Sequence, residues 1–495
     1  MPSSPRAAWW RPEPPAAEPV APGSAVSFWA LMAFTLVMLL APQNVWPALA
    51  TLRLALLTAT VAIGAHLLDR FLRGQPLLGF THEVWITAGI VAWALVTLPL
   101  AYWPGGSLSA LLDFYLKTLA IFWLLINTVT TLTRLRQVAW ALSLMAIPLA
   151  ASGVHQYLSG NFIAEGRIRG YSAPLTDNPN DLALALNLIL PLTAALLLAT
   201  RRAMARTLLF AIIVLGVFAV ISTFSRGGFL TLATIFLIYL SRLRQHAARG
   251  WMWAVLVLVL MCMALLPSGY SERLHTIADF GSDATGSAQL RWNQTVSAVR
   301  LVLANPLVGA GIGGNVLALN AERGATWHEV HNVYLEYAVD LGIPGLVLFL
   351  LLLGRCIKNA ALIQRRSARS PALRELFYLA QGIQISLIGF SVAALFHPVA
   401  YHFYFYYVAG LAVALNAVSG TVAPTADAAE PGAPGQSPEA HPVHEESPPR
   451  SPAAGPPRFG TSGRQTNAGP DRQVARLVPG RLLRLHARGC SPAHP

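Results

Sequence analysis

The chain has 495 residues, of which 55% are hydrophobic and only 12% charged, and its formal net charge is +13. A soluble domain carries about 25% charged residues, so this composition excludes a water-soluble protein with a single membrane anchor. The positive balance does not point to nucleic acid. It rests on arginines, with only Lys117 and Lys358 besides, and in a polytopic chain such charge collects in the cytoplasmic loops.

Met1 to Gly23 is rich in Pro and Ala. The apolar run after it lacks a small-residue cleavage site, so residues 1–24 read as a cytoplasmic segment before a retained first helix, not as a signal peptide. A membrane-spanning helix needs about 20 mostly apolar residues. Runs of suitable length occur near 26–42, 46–66, 84–102, 108–128, 137–157, 180–199, 207–224, 227–241, 251–268, 332–354, 375–396 and 399–418. They predict an all-α polytopic membrane protein of about twelve transmembrane helices.

Positive charge sets the orientation. With the N-terminus inside, the inner loops hold Arg70 and Arg73, Arg134 and Arg136, Arg201, Arg202 and Arg206, Arg242, Arg244 and Arg249, and the cluster from Arg355 to Arg374. The alternate loops are nearly free of Lys and Arg, with two exceptions. One is 158–179, with Arg167 and Arg169; the other is the long loop 269–331, with Arg273, Arg291, Arg300 and Arg323. Positive charge retained on the outer side against the general bias suits an anion site.

From about residue 421 the chain turns to Pro, Ala, Gly, Ser and Glu without apolar periodicity, and 421–495 is expected to be a disordered cytoplasmic tail. The three cysteines, Cys262, Cys356 and Cys490, have neither redox nor metal-ligand spacing.

Four outer motifs carry the candidate chemistry. Arg167-Ile168-Arg169 precedes an Asp/Asn/Pro cluster, 176–181, that reads as a helix entry with Asp177 or Asn180 near the cap. In Ser225-Arg226-Gly227-Gly228 an arginine ends a membrane span, which is costly unless it pairs or faces water. Guanidinium presents a rigid fork to phosphate oxygens; the bland alternative is an arginine snorkelling beside a tight turn. Arg291 opens a helical stretch on which Trp292, Val296, Val299 and Leu303 form an apolar stripe about four turns long. The glycine-rich stretch 309–315 follows; it lacks the strand and lysine of a phosphate loop, and reads equally as a flexible turn. Last comes His328-Glu329-Val330-His331-Asn332-Val333-Tyr334, at the entry to a long apolar run. The His-x-x-His pair has no third ligand, so no metal is expected. His331 suits a base that deprotonates a sugar hydroxyl.

These pieces, in order, are "RGYSAPLTDNPNDLALALNLILPL", "STFSRGGFL", "RWNQTVSAVRLVLANPLVGAGIGGN" and "HNVYLEYAVDLGIPGLVLF". Together they resemble the O-antigen ligase and polymerase superfamily of bacterial envelope glycan enzymes, in layout over 25–420 and in motif over about 165–350. The resemblance implies a glycosyltransferase C-like helical fold in the inner membrane, with a long periplasmic loop, here 269–331, between helices nine and ten. It implies an undecaprenyl-diphosphate-linked glycan donor, membrane lipid around it, no cofactor, and a site facing the periplasm. It implies Arg226, Arg291 and His331 as catalytic residues, with Arg167 and Arg169 recruiting the diphosphate and Asn332 and Tyr334 beside the glycan. The leading reading is a ligase with lipid A-core as acceptor. A polymerase that extends a glycan acceptor and a protein O-oligosaccharyltransferase stand next to it. A lipid-linked glycan transporter is the alternative of a different class; the expected signature of internally repeated halves is missing from the sequence.

Overall fold

Backbone groups inside a bilayer have no water to bond and must pair within their own segment; this chain does so with helices. In a computed structural model, residues 23–76, 81–163, 167–243, 287–324 and 327–427 are described. Contacts divide the chain into two units, Met1–Pro431 and Gly432–Pro495, and all described residues belong to the first.

The principal helices are α1 (Ala25–Leu40), α2 (Leu54–Leu72), α3 (His82–Thr97), α4 (Leu116–Thr128), α5 (Leu132–Leu158), α6 (Pro179–Ala199), α7 (Ala203–Ser222), α8 (Arg226–Leu243), α9 (Ser287–Ala304), α10 (Asn315–Arg323), α11 (Val333–Ser367), α12 (Arg374–Ala393) and α13 (Phe403–Asp427). Among the described residues, nine helical segments are long and apolar enough to span a membrane. The shorter α1 and the 18-residue α8 bring eleven of the twelve expected runs onto helices. The remaining run, 251–268, lies outside the described residues, as do 269–286 and 325–326 of the 269–331 loop and nearly all of the tail.

Two boundaries differ from the sequence reading. The second helix starts at Leu54 rather than near residue 46, because Pro47 opens a six-residue 3₁₀ turn that ends at Arg53 in the left-handed region (φ 44°). The 332–354 run extends to Ser367, giving 35 residues, or about 50 Å of helix against a hydrocarbon core of about 30 Å. Its added C-terminal turns carry Lys358, Arg365 and Arg366.

Hydrogen bonds sort the connections into two ends of the bundle. At the basic end, Ser24 N donates to Asp69 Oδ2 (3.1 Å), Arg136 pairs with Glu375 (3.3 Å), and Arg374 donates to the Leu198 carbonyl (2.9 Å). At the opposite end, Tyr171 Oη donates to the Leu40 carbonyl (3.0 Å), Tyr102 N to the Ala310 carbonyl (2.9 Å), and Val333 N to the Ala394 carbonyl (2.8 Å). Helix α6 is the most enclosed span, apolar on all sides and packed by α5, α7 and α12. Its first turn projects into the second end, where the candidate residues gather.

The glycine-rich stretch 309–315 also belongs to this end, and its conformation follows from a break in α11. Gly342 adopts φ 68°, ψ −174°. Ile343 N therefore leaves the helix ladder and donates to the Pro306 carbonyl (2.7 Å). Pro344 has no N–H to offer. The carbonyls of Val339 and Asp340 thus lose their usual partners four residues on. Ala310 N (2.7 Å) and Gly311 N (2.8 Å) take their place, and Gly313 N donates to Asp340 Oδ2 (2.9 Å). The glycine-rich stretch is accordingly a buried clasp on α11, not a flexible turn, and these amides are not available to a phosphate.

Candidate functional site

Asn180 organises the site. Asn178 is the N-cap of α6, accepting from the amides of Asn180 and Asp181 (both 3.0 Å), and Pro179 fills the first helical position. Proline suits that position because its missing N–H would have no partner there. The cap falls between Asp177 and Asn180, the two residues expected to supply it, and this frees the Asn180 side chain. Its Oδ1 accepts from Arg167 Nη2 (2.8 Å) and from Ser225 Oγ (2.8 Å). One amide oxygen thereby ties the 159–178 segment to the Ser-Arg-Gly-Gly turn.

That turn is shaped by its neighbours. Phe224 sits at φ 54°, a conformation costing a non-glycine residue roughly 1–2 kcal/mol. The turn leaves the Thr223 carbonyl to accept from Arg167 Nε (3.2 Å). Ser225 Oγ also accepts from Gly228 N (3.2 Å), in the first turn of α8. Both glycines serve packing: a Cβ on Gly228 would stand 2.7 Å from Ala183 Cβ, and one on Gly227 would stand 2.9 Å from Phe396 Cβ. Arg226, half-buried, follows Ser225, which bonds Asn180, and precedes Gly227, which packs against Phe396.

The α12–α13 connection closes over this group. Beside Phe396, His397 is 2% exposed. Its Nδ1 lies 2.9 Å from the Ala393 carbonyl and its Nε2 3.2 Å from the Asn180 carbonyl. Arg167 and Arg291 both act on its charge.

His331 stands at the same end, just before α11. Its Nδ1 lies 3.0 Å from the Glu329 carbonyl. A carbonyl only accepts, so Nδ1 carries the proton and Nε2 holds the lone pair. Burial pushes its pKa down to about 4; the positive charge of Arg291 adds to this, the Glu329 contact opposes it, and His397 lowers it further. His331 is therefore a neutral imidazole at pH 7 with its basic nitrogen unprotonated.

Arg291 lies in the second turn of α9, half-buried. The buried face of this helix is not its apolar stripe. Gln294, Ser297, Ala298 and Val302 are buried, whereas Trp292 (57%), Val299 (41%) and Leu303 (75%) are exposed. The small residues allow close approach to Ala338 and Val339 of α11, with which Ala298 and Val302 share a core. The apolar stripe is turned outward.

The structure therefore gathers Arg167, Arg291, His331 and the turn holding Arg226 at one end of the bundle. Three other expected residues are engaged differently. Arg169 is exposed, with its backbone N bonded to Gln156 Oε1 (2.9 Å). Asn332 caps α11, accepting from Tyr334 N (3.0 Å) and Leu335 N (3.1 Å). Tyr334 Oη donates to the Ser391 carbonyl (2.8 Å). Sequence reasoning passed over Asn180 as a linker and His397 altogether. His397 lies between an apolar run and a Tyr/Phe-rich one, in a Phe-His-Pro context that carries no motif; only the fold brings it to Asn180.

No grouping of three metal-ligating side chains occurs among the described residues. The arrangement offers guanidinium groups for an oxyanion and an imidazole lone pair for a proton.

Residues 209–350 match the family model described as O-antigen ligase. The match contains Arg226, Arg291 and His331, while Arg167, Asn180 and His397 lie outside it. No curated protein matches the chain significantly.

Proposed function

We propose, from the premise that this chain belongs to the O-antigen ligase superfamily, that it transfers a glycan from undecaprenyl diphosphate to an acceptor hydroxyl at the periplasmic face of the inner membrane. The observation that carries the reading is the gathering of Arg167, Arg291, His331 and the Ser225-Arg226 turn at the end opposite the basic loops. Basic loops mark the cytoplasmic side, so the opposite end faces outward.

The chemistry follows from the groups. The acceptor oxygen attacks the anomeric carbon, its proton passes to His331 Nε2, and the bond from that carbon to the diphosphate oxygen breaks. Negative charge then grows on the diphosphate. Arg226 and Arg291 stabilise it, and Arg167, braced by Asn180 and the Thr223 carbonyl, holds the donor. Preorganised donors of this kind contribute about 10²–10³ in rate each. The exposed Trp292, Val299 and Leu303 suit a lipid-facing wall beside this site.

The acceptor we propose is lipid A-core, which makes the protein a ligase. Complementation tests this. Wild type and the Arg226→Ala, Arg291→Ala and His331→Ala variants, matched in level, are expressed in a ligase-deficient strain. The expected result is glycan on lipid A-core with wild type only. Longer carrier-linked chains in a polymerase-deficient strain would move the acceptor to a second glycan and leave the site intact. Full activity of all three variants would remove the mechanism.

A further inference from the structure

The cluster contains a buried titratable group that the proposed reaction does not use. Both ring nitrogens of His397 face carbonyl oxygens, those of Ala393 at 2.9 Å and Asn180 at 3.2 Å. Carbonyls accept only, and a neutral imidazole has one N–H. In the neutral ring one nitrogen therefore turns its lone pair onto an oxygen. Only the imidazolium satisfies both contacts, so the local geometry is built for the cation.

The surrounding charge works against that form. Burial lowers the pKa of His397, and Arg291 and Arg167 lower it further, while the two carbonyls pull it upward. The charged and titratable groups facing the ring are Arg167 from the 159–178 segment, Arg291 from α9 and His331 from the entry to α11. Asp181 follows its partner Asn180, and Arg226 follows Ser225, which shares that partner. The balance is between a site that fits a cation and neighbours that repel one. An anion among the arginines cancels the repulsion and leaves the fit.

We infer that His397 takes up one proton when a diphosphate diester binds among Arg167, Arg226 and Arg291, so that the site gains a further cation only while its ligand is present. This rests on the reading of the cluster as a diphosphate site. The proton comes from solvent and goes to whichever ring nitrogen lacked it; no other bond changes. His397 is a positioning residue. It acts by charge, and through Asn180, whose side chain holds both Arg167 and Ser225.

Linkage fixes the sign. The bound form carries more protons, so affinity strengthens as pH falls, by at most tenfold per pH unit, in the window between the free and bound pKa values of the ring. Below that window the ring is charged in both states and the dependence flattens; above it, neither state is charged and it flattens again.

The test uses the full-length protein in detergent and the symmetric diethyl ester of diphosphate. Each of its phosphates keeps a single negative charge through neutral pH, so a linked proton belongs to the protein. Calorimetric titration in two buffers of different ionisation enthalpy gives the proton number, and a series from about pH 5 to pH 8, spanning the imidazole range, gives the affinity profile. Wild type is expected to take up a proton on binding and to bind more weakly as pH rises. His397→Gln and His397→Asn are expected to bind with a flat profile, and His331→Gln to keep the slope. Binding by wild type without proton uptake would overturn the inference alone. So would an undiminished slope in a folded His397 variant, or loss of the slope in His331→Gln. Should both His397 variants fail to fold, the proton number of wild type still decides. Absence of binding by wild type at every pH would instead overturn the diphosphate reading, and this inference with it.

Discussion

Asn180→Ala isolates the residue on which the site is assembled. The substitution removes one oxygen and with it two hydrogen bonds, from Arg167 Nη2 and Ser225 Oγ, each 2.8 Å. A bond from a charged donor contributes about 1.5–3 kcal/mol and a neutral one about 1 kcal/mol. Arg167 is half-buried, so solvent screens its share, and about 2 kcal/mol is a reasonable total. Arg167 keeps its bond to the Thr223 carbonyl, and the Asn178 cap and Pro179 are untouched, so α6 still forms. The loss should fall on donor binding. About 2 kcal/mol corresponds to ~30-fold in kcat/KM for the lipid-linked donor, measured as glycan transfer in proteoliposomes over a donor series. Asn180→Asp keeps an acceptor for Arg167 and Ser225 but places a negative charge beside the diphosphate. It should retain the thermal midpoint of wild type and lose donor affinity. Transfer by Asn180→Ala within twofold of wild type, at matched protein levels, would refute the bracing role.

Other consequences concern proton state, fold and cap. With His331 as base and its pKa held at about 4 by burial and Arg291, the active neutral form persists far below the usual histidine range. The kcat/KM profile, which reports the free enzyme, should stay level through pH 6.5 and fall only toward pH 4. An acid limb of kcat/KM at 6.5 would contradict the buried, Arg291-shielded base. The same depression has a stability consequence. The unfolded chain binds the His331 proton first as pH drops, so thermal stability in detergent should decline between about pH 6.5 and pH 4. Gly342→Ala would force a side chain into the left-handed region and to within 2.3 Å of the Leu307 carbonyl oxygen; it should speed proteolysis within 305–315 and lower the thermal midpoint. Asn332→Ala removes the α11 cap, at a cost of about 1 kcal/mol, read as a small drop in the same midpoint.

The sequence made the membrane architecture legible because the bilayer imposes a length and a polarity on every span, and the basic loops mark one end. It also marked Arg226, Arg291 and His331, since each sits in a short ordered motif. The residues that join them were less legible. Asn180 looks like one more member of an Asp/Asn/Pro helix entry. The fold assigns the cap to Asn178 and turns Asn180 toward two other segments. His397 is more than two hundred positions from Asn180 in sequence, and neither flank announces it. The apolar stripe of α9 was legible as a stripe, but which way it faces was not, for a physical reason. In water such a stripe seeks the core, but at a membrane surface small residues make the tight contact and large apolar ones can face outward.

The glycine-rich stretch shows how a local motif acquires its meaning from a distant break. Taken alone, its amides resemble a cradle for phosphate, and positive φ at Gly309, Gly311 and Gly313 fits that picture. The deciding fact lies about thirty residues later, where Gly342 turns out of the helix and Pro344 withholds an N–H. Two carbonyls of α11 are left without partners in an apolar setting, where leaving a backbone group unpaired costs several kcal/mol. The glycine-rich amides are what satisfies them, and a Cβ on Gly309 would lie 2.6 Å from the Asp340 carbonyl. The glycines are thus required for close backbone approach to α11. In the proposed reaction the task of holding an anion falls instead to side chains, those of Arg167, Arg226 and Arg291.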